Sequence, residues 1–124
     1  NLDSLNRKRR NMAYRYNEAF KNIPKLILPT IAKGAESVCH LYVIRTSGRD
    51  RFRDYLLRHG IGTLIHYPVP PHLQEAYKDL KYKKGDFPIA EEIARTSLSL
   101  PLHPFLSEED IRTVIRVVRA FAGA

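Results

Sequence analysis

Apolar residues recur through the first part of the chain at Leu2, Leu5, Met12, Ala13, Tyr16, Phe20 and Ile23, near one face at helical spacing. The pattern predicts an amphipathic helix that ends before Pro24, because a residue preceding proline is disfavoured in the α region. No start signal precedes this helix, which predicts a piece cut from something longer. "KLILPTIAKGAES" reads as a loop with an extended portion, and "VCHLYVIR", Val38 to Arg45, as a strand rich in β-branched and aromatic residues. Apolar groups on both of its faces predict a central position. Ser47 and Asp50 then make a start resembling a capping box for "RDRFRDYLLRH", which presents Phe52, Tyr55, Leu56 and His59 together and stops at Gly60. "TLIHY" reads as a second strand, closed by Pro68, Pro70 and Pro71, which cannot donate to a sheet ladder. Pro71 can open a short helix through "HLQEAY". After the charged turn "KYKKGD", Asp86 and Pro88 open "IAEEIARTS", with Ile89 and Ile93 inward. "LSLPL", Leu98 to Leu102, alternates as a third strand. Ser107 and Asp110 cap the last helix, whose stripe is Ile111, Val114, Ile115, Val118, Phe121 and Ala122.

This order of elements predicts an α+β fold, a small three-stranded sheet with helices packed mainly on one face. The first two strands are joined through a helix, as in a right-handed parallel crossover, and an antiparallel arrangement stays open. The 124 residues suit a single domain, and 44% hydrophobic with 27% charged residues argues against disorder. No apolar run reaches the ~20 residues of a membrane span and no signal-peptide pattern appears. The single cysteine, Cys39, has no internal disulfide partner, which with the missing signal points to a reducing, cytoplasmic setting.

The net charge of +8 is concentrated in part at Arg7, Lys8, Arg9 and Arg10. Such a surplus suits nucleic acid, a phosphorylated small molecule or an acidic partner, or is a solvated helix face. No recognition-helix pattern follows the basic run, and Met12, Ala13 and Tyr16 interrupt it at core spacing.

Five histidines raise the question of metal, but His66 and His72 lie six apart across a proline-rich loop, and Cys39 and His40 are adjacent. His59 at a helix C-terminus suits the dipole there. No glycine-rich phosphate cradle and no Gly-x-Ser-x-Gly elbow occurs. The remaining candidate is the His66–Tyr67 loop, where prolines behind the pair lower the entropy lost on binding. Imidazole and phenol both donate and accept hydrogen bonds, which suits a hydroxyl-rich ligand. In the competing reading the prolines only turn the chain while His66 and Tyr67 pack on a helix.

"GIGTLIHYPVPPHLQEAY", "DFPIAEEIARTSLSLPLHPFLSEEDI", "AESVCHLYVIR" and "LNRKRRNMAYRYNEAF", in their order, resemble the C-terminal part of the DegT/StrS-type nucleotide-sugar aminotransferases. Their wording looks closest to members that aminate 3-keto-6-deoxy sugars carried on dTDP. The resemblance implies a small C-terminal domain of the type I aminotransferase fold, with residues 1–23 as a linking helix and 24–124 as the α+β part. It implies that the N-terminal PLP-binding domain, with its Schiff-base lysine, lies outside this chain. None of Lys8, Lys21, Lys25, Lys33, Lys78, Lys81, Lys83 and Lys84 sits in the family's lysine context, so the chain alone is expected to be inactive and to hold no cofactor. The implied partners are that domain, a nucleotide-sugar substrate and, in the full enzyme, a second copy. His66 and Tyr67 are expected to hydrogen-bond the sugar's hydroxyls or ketone, with no catalytic base in this chain. His72 and His103, in "PPH" and "LPLHP", are expected to be structural or to support the pair from behind. Cys39 stands where the family often has an aromatic, which predicts altered packing there.

Overall fold

The first helix, α1, runs from Leu2 to Phe20 in the computed structural model, which describes residues 1–123 and side chains as far as Phe121. The expectation of an uncapped start does not hold: Asn1 Oδ1 accepts the Asp3 N–H at 2.9 Å and caps the helix. Met12, Ala13, Tyr16 and Phe20 form its buried face, spaced so that they stack on one side of the helix. The helix ends three residues earlier than predicted, and Ile23 turns back through a hydrogen bond to Phe20 O.

Strand β1 is Tyr42–Arg45. It is shorter than the predicted Val38–Arg45 because Cys39 takes a positive φ of 49°, a left-handed conformation outside extended backbone. Cys39 itself is half-buried at the edge of the core. Helix α2, Arg49–Arg58, starts without the expected box: Gly48 is its N-cap and Asp50 Oδ1 instead accepts from Arg49 Nε at 2.7 Å. The buried Arg49 donates onward to Ala94 O and Ser97 O, tying this helix to a junction some 45 residues away in sequence. Gly60, at φ +76°, ends the helix as predicted.

The proline-rich segment forms two short 3-10 turns, Pro71–Leu73 and Glu75–Leu80, in place of one helix. Helix α3, Pro88–Thr96, opens on its proline and runs directly into strand β2, Ser97–Leu100. Ile89 and Ile93, expected inward, are 73% and 40% exposed; Ala94 and Thr96 are the residues of α3 that are buried. Helix α4, Glu108–Gly123, carries the predicted reciprocal cap, with Asp110 N–H on Ser107 Oγ at 3.0 Å and Ser107 N–H on Asp110 Oδ2 at 3.0 Å. Of the predicted stripe, Ile111, Val114 and Val118 are buried, joined by Val117; the side chain of Ala122 lies outside the described residues.

The sheet is a two-stranded antiparallel ribbon, pairing Tyr42 with Leu100, Val43 with Ser99, Ile44 with Leu98 and Arg45 with Ser97. This corrects the expected three-stranded sheet: "TLIHY" contributes one rung, Leu64 opposite Ser99, and Ile27 contributes one opposite Arg45. The reason lies in which N–H groups are free. Continuing the Leu64 rung would require donors from Pro101, which has none, and from Ser97, whose N–H already binds Ile93 O at the end of α3. On the other edge, Pro29 faces the position where the Ile27 pairing would continue. Leu64 and β1 both run antiparallel to β2, hence parallel to each other, but β2 lies between them.

One face of the ribbon, with Tyr42, Ile44, Leu98 and Leu100, joins residues of α1, α2 and α4 in a single core. Tyr16 packs edge-on against Tyr42 at 5.1 Å and stacks on Phe20 at 5.6 Å. The buried phenols keep hydrogen bonds, Tyr42 Oη donating to Asn17 Oδ1 at 2.7 Å and Tyr16 Oη to Pro101 O at 2.9 Å. No helix among the described residues is long and apolar enough to cross a membrane.

Candidate functional site

Period-two alternation puts Val43, Arg45, Ser97 and Ser99 on the face of the ribbon turned away from that core. The Leu64 rung brings the following segment alongside β2, and two residues on, His66 Nδ1 lies 2.8 Å from Ser99 Oγ. Ser99 is buried, His66 half-buried, and Tyr67 71% exposed. The His66–Tyr67 peptide bond is cis, and the two rings meet edge-on with centroids 5.6 Å apart. The pair therefore sits at the surface, on the opposite side of the sheet from the core. His66 Nε2 makes no hydrogen bond among the described residues and is not sealed from solvent.

The prolines behave as their positions suggest. Pro70 is buried, Pro71 opens the first 3-10 turn, and Gln74 Nε2 clamps back onto Val69 O at 3.1 Å. The loop following the pair is thus tied to itself.

His72 is not joined to the pair by any hydrogen bond among the described residues. Its Nε2 meets Glu91 Oε1 at 3.0 Å, and its ring lies 4.9 Å from that of Phe87. The same carboxylate accepts the Gly85 N–H at 2.7 Å. That backbone bond, with the His72 contact beside it, holds the Glu91 carboxyl below the usual carboxylate range. His72 thereby links the first 3-10 turn to the start of α3. His103 is exposed, and its Nδ1 accepts the Phe105 N–H at 3.3 Å within the turn between β2 and α4.

Sequence reasoning missed Ser99 and Arg45. The signal for Ser99 was present in "SLSL": serines alternating with leucines on a strand must face away from the core the leucines enter. Arg45 reaches across to Glu92 of α3 at 2.7 Å, while its Nε is buried without a partner. Nothing local to Arg45 indicates that pairing.

Of the basic run near the start, Arg10 pairs with Glu36 at 2.7 Å and Arg9 donates a hydrogen bond to the neutral Asn6 at 3.3 Å. All eight lysines have exposed side chains, and Lys21 and Lys78 pair with Glu18 and Glu75. Among the described residues no three His, Cys, Asp or Glu side chains converge as a metal site would require.

Residues 1–119 match the profile of the DegT/DnrJ/EryC1/StrS aminotransferase family. The chain is 42% identical over 121 residues to the erythromycin biosynthesis sensory transduction protein EryC1 of Saccharopolyspora erythraea, covering 98% of this chain and 33% of that protein. It is 41% identical over 120 residues to the dTDP-3-amino-3,6-dideoxy-alpha-D-galactopyranose transaminase of Aneurinibacillus thermoaerophilus, covering 97% of this chain and 32% of that one. Its backbone superposes on S. venezuelae DesV, solved in complex with a ketimine intermediate, with a TM-score of 0.96 at 40% identity over 98% of this chain and 33% of that one. The chain thus spans about a third of the length of these relatives. With a matching profile along nearly its whole length and the same backbone course, this chain belongs to the DegT/DnrJ/EryC1/StrS aminotransferase family.

Proposed function

We propose that this chain is the small, C-terminal domain of a longer PLP-dependent aminotransferase of the type I fold, residues 1–23 being its linking helix, and that it forms the sugar side of the active-site cleft. The substrate in this reading is a keto-deoxysugar carried on a nucleotide, of the dTDP type named for the transaminase relatives. The observation that carries the reading is the placement of His66 and Tyr67: at the surface, on the face opposite the core, in a chain belonging to this family.

Bound PLP supplies the electron sink for amino-group transfer; the residues of this chain supply binding and orientation. Tyr67 Oη and His66 Nε2 hydrogen-bond sugar hydroxyls or the ketone oxygen, and neither acts as the proton-transfer base. The prolines and the His72–Glu91 link keep the surrounding loop in one arrangement, which lowers the ordering entropy on binding. The Schiff-base lysine and the acidic partner of the pyridine nitrogen belong to the remainder of the parent protein, which assembles in the cytoplasm as a homodimer. A basic nucleic-acid module is the weaker reading, because Arg9 and Arg10 already have partners within the chain.

In the full-length parent, His66→Ala lowers sugar-nucleotide turnover by about tenfold or more, the scale of losing a hydrogen bond on which substrate orientation depends. The spectrum of the bound cofactor stays as in wild type. Unchanged turnover rejects the role. The chain alone, mixed with PLP, gives no stable visible absorption band; a persistent band would assign the cofactor to one of its own lysines.

A further inference from the structure

His66 Nδ1 and Ser99 Oγ lie 2.8 Å apart, and either atom can be the donor. Ser99 is 5% exposed, and His66 Nδ1 is the partner of its Oγ among the described residues. A serine hydroxyl has one proton, which rotates to an acceptor within reach. The companion Ser97 turns its hydroxyl back along its own chain, to Ile93 O at 2.6 Å. Ser99 makes no such local bond, and its backbone N–H and C=O are both engaged with Leu64.

Two arrangements satisfy the distance. In one, Nδ1–H donates to Ser99 Oγ, and the hydroxyl's own proton is then left in a buried position without an acceptor. In the other, the hydroxyl donates to the Nδ1 lone pair, and the proton of the neutral ring resides on Nε2. A buried donor without a partner is disfavoured enough to bias the two forms by about tenfold or more.

We propose that Ser99 is a positioning residue that holds neutral His66 as the Nε2–H tautomer, so that the open edge of the ring presents a donor and selects an acceptor oxygen of the ligand. That oxygen is a sugar carbonyl or hydroxyl in the acceptor role. An ammonium or amide N–H is refused, because donor would face donor. The ligand half of this inference rests on His66 facing the sugar; the tautomer half does not.

Long-range proton–nitrogen correlation NMR on the 15N-labelled chain, at a pH where the ring is neutral, tests the assignment. His66 is expected to show a pyridine-type Nδ1 and a protonated Nε2, in about tenfold excess or more over the other form. Ser99→Ala is expected to bring His66 to the tautomer ratio of the exposed His40, with the amide spectrum of the fold retained. A dominant Nδ1–H form in the wild type overturns the proposal, and that measurement decides even if Ser99→Ala does not fold. An unchanged ratio in a folded Ser99→Ala also overturns it. In the full-length parent, Ser99→Ala raises KM for the nucleotide sugar by roughly three- to tenfold with kcat less affected, and Ser99→Thr, which keeps the hydroxyl, restores most of the loss. Equal KM values for Ser99→Ala and wild type overturn the positioning role. An Nε2–H ring combined with unaltered turnover in His66→Ala would instead reject the sugar-facing reading while leaving the tautomer assignment standing.

Discussion

On one face of the β1–β2 ribbon, Tyr42, Ile44, Leu98 and Leu100 lie between 0% and 3% exposed, sealed by three helices. On the other face the same two strands present Val43, Arg45, Ser97 and Ser99, the two serines buried at 1% and 5% exposure but hydrogen-bonded, and at its edge stand Leu64 at 66% exposure and Tyr67 at 71%. Adjacent residues of β2 thus belong to different environments. Leu98 contributes to stability through packing, whereas Ser99 contributes through a hydrogen bond that orients one ring. A folded core asks only for apolar volume on its side. The other side carries polar groups whose worth depends on what they face.

The comparison breaks most visibly at Leu98. Leu98→Ala removes packing from the sealed face and is expected to cost about 2–5 kcal/mol of stability, measured by denaturant unfolding. A loss below about 1 kcal/mol would mean that this face is not the core.

Alkaline pH attacks the same face through its phenols. Burial pushes Tyr16 from the ordinary 10.0 up to about 12, and burial raises Tyr42 as well. Below pH 10 both phenols are neutral in the folded and unfolded states, so their contribution is intact. As pH rises from 10 through 12 the unfolded chain ionises first, and stability falls by something on the order of 3 kcal/mol for Tyr16. Absorbance at the tyrosinate band should show two late-titrating groups among the seven tyrosines, ionising together with unfolding. Seven groups titrating in one early step would contradict this.

A smaller effect belongs to the cap of α4. Ser107→Ala is expected to cost about 1 kcal/mol. The Ser107 hydrogen bonds hold Asp110 below the usual carboxylate range, so this contribution is present above that range and fades as pH falls through the lowered value. Ser107→Ala should accordingly make stability less sensitive to acid in that window.

The smallest change in stability is expected on the open face. Tyr67→Phe should alter unfolding by less than about 0.5 kcal/mol, since the ring is exposed and its hydroxyl has no partner among the described residues. In the full-length parent the same change should lower turnover by roughly two- to tenfold, the range of one hydrogen bond. Loss of stability without loss of turnover would reverse the assignment of the two faces.

Much of this was legible beforehand, for reasons that can be given residue by residue. The stripe Met12–Tyr16–Phe20 and that of α4 follow from the helical period, and Gly60 and the Ser107–Asp110 cap from interactions spanning three or four positions. The prolines and the strand end that bracket His66 and Tyr67 are local features, so the surface loop that carries the pair could be expected from the sequence. Ile89 and Ile93 misled because an apolar face at helical spacing looks the same whether it is covered within the chain or left open. The Ser47–Asp50 box failed because Arg49, needed at Ala94 O and Ser97 O, claims Asp50.

The sequence by itself determined where α1 to α4 lie, the cap of α4, the glycine that ends α2 and the family, because those features are written in neighbouring residues. Tertiary structure alone decided how wide the sheet is and which side chain meets His66. A ladder grows only where backbone donors remain free; the missing N–H of Pro29 and Pro101 is a local fact, but that these positions and Ser97 are the ones the neighbouring segments would pair with is fixed only by the register of distant segments. The His66–Ser99 bond spans 33 positions and has the same cause: it exists because one rung, Leu64 on Ser99, brings two segments into register that no local pattern relates.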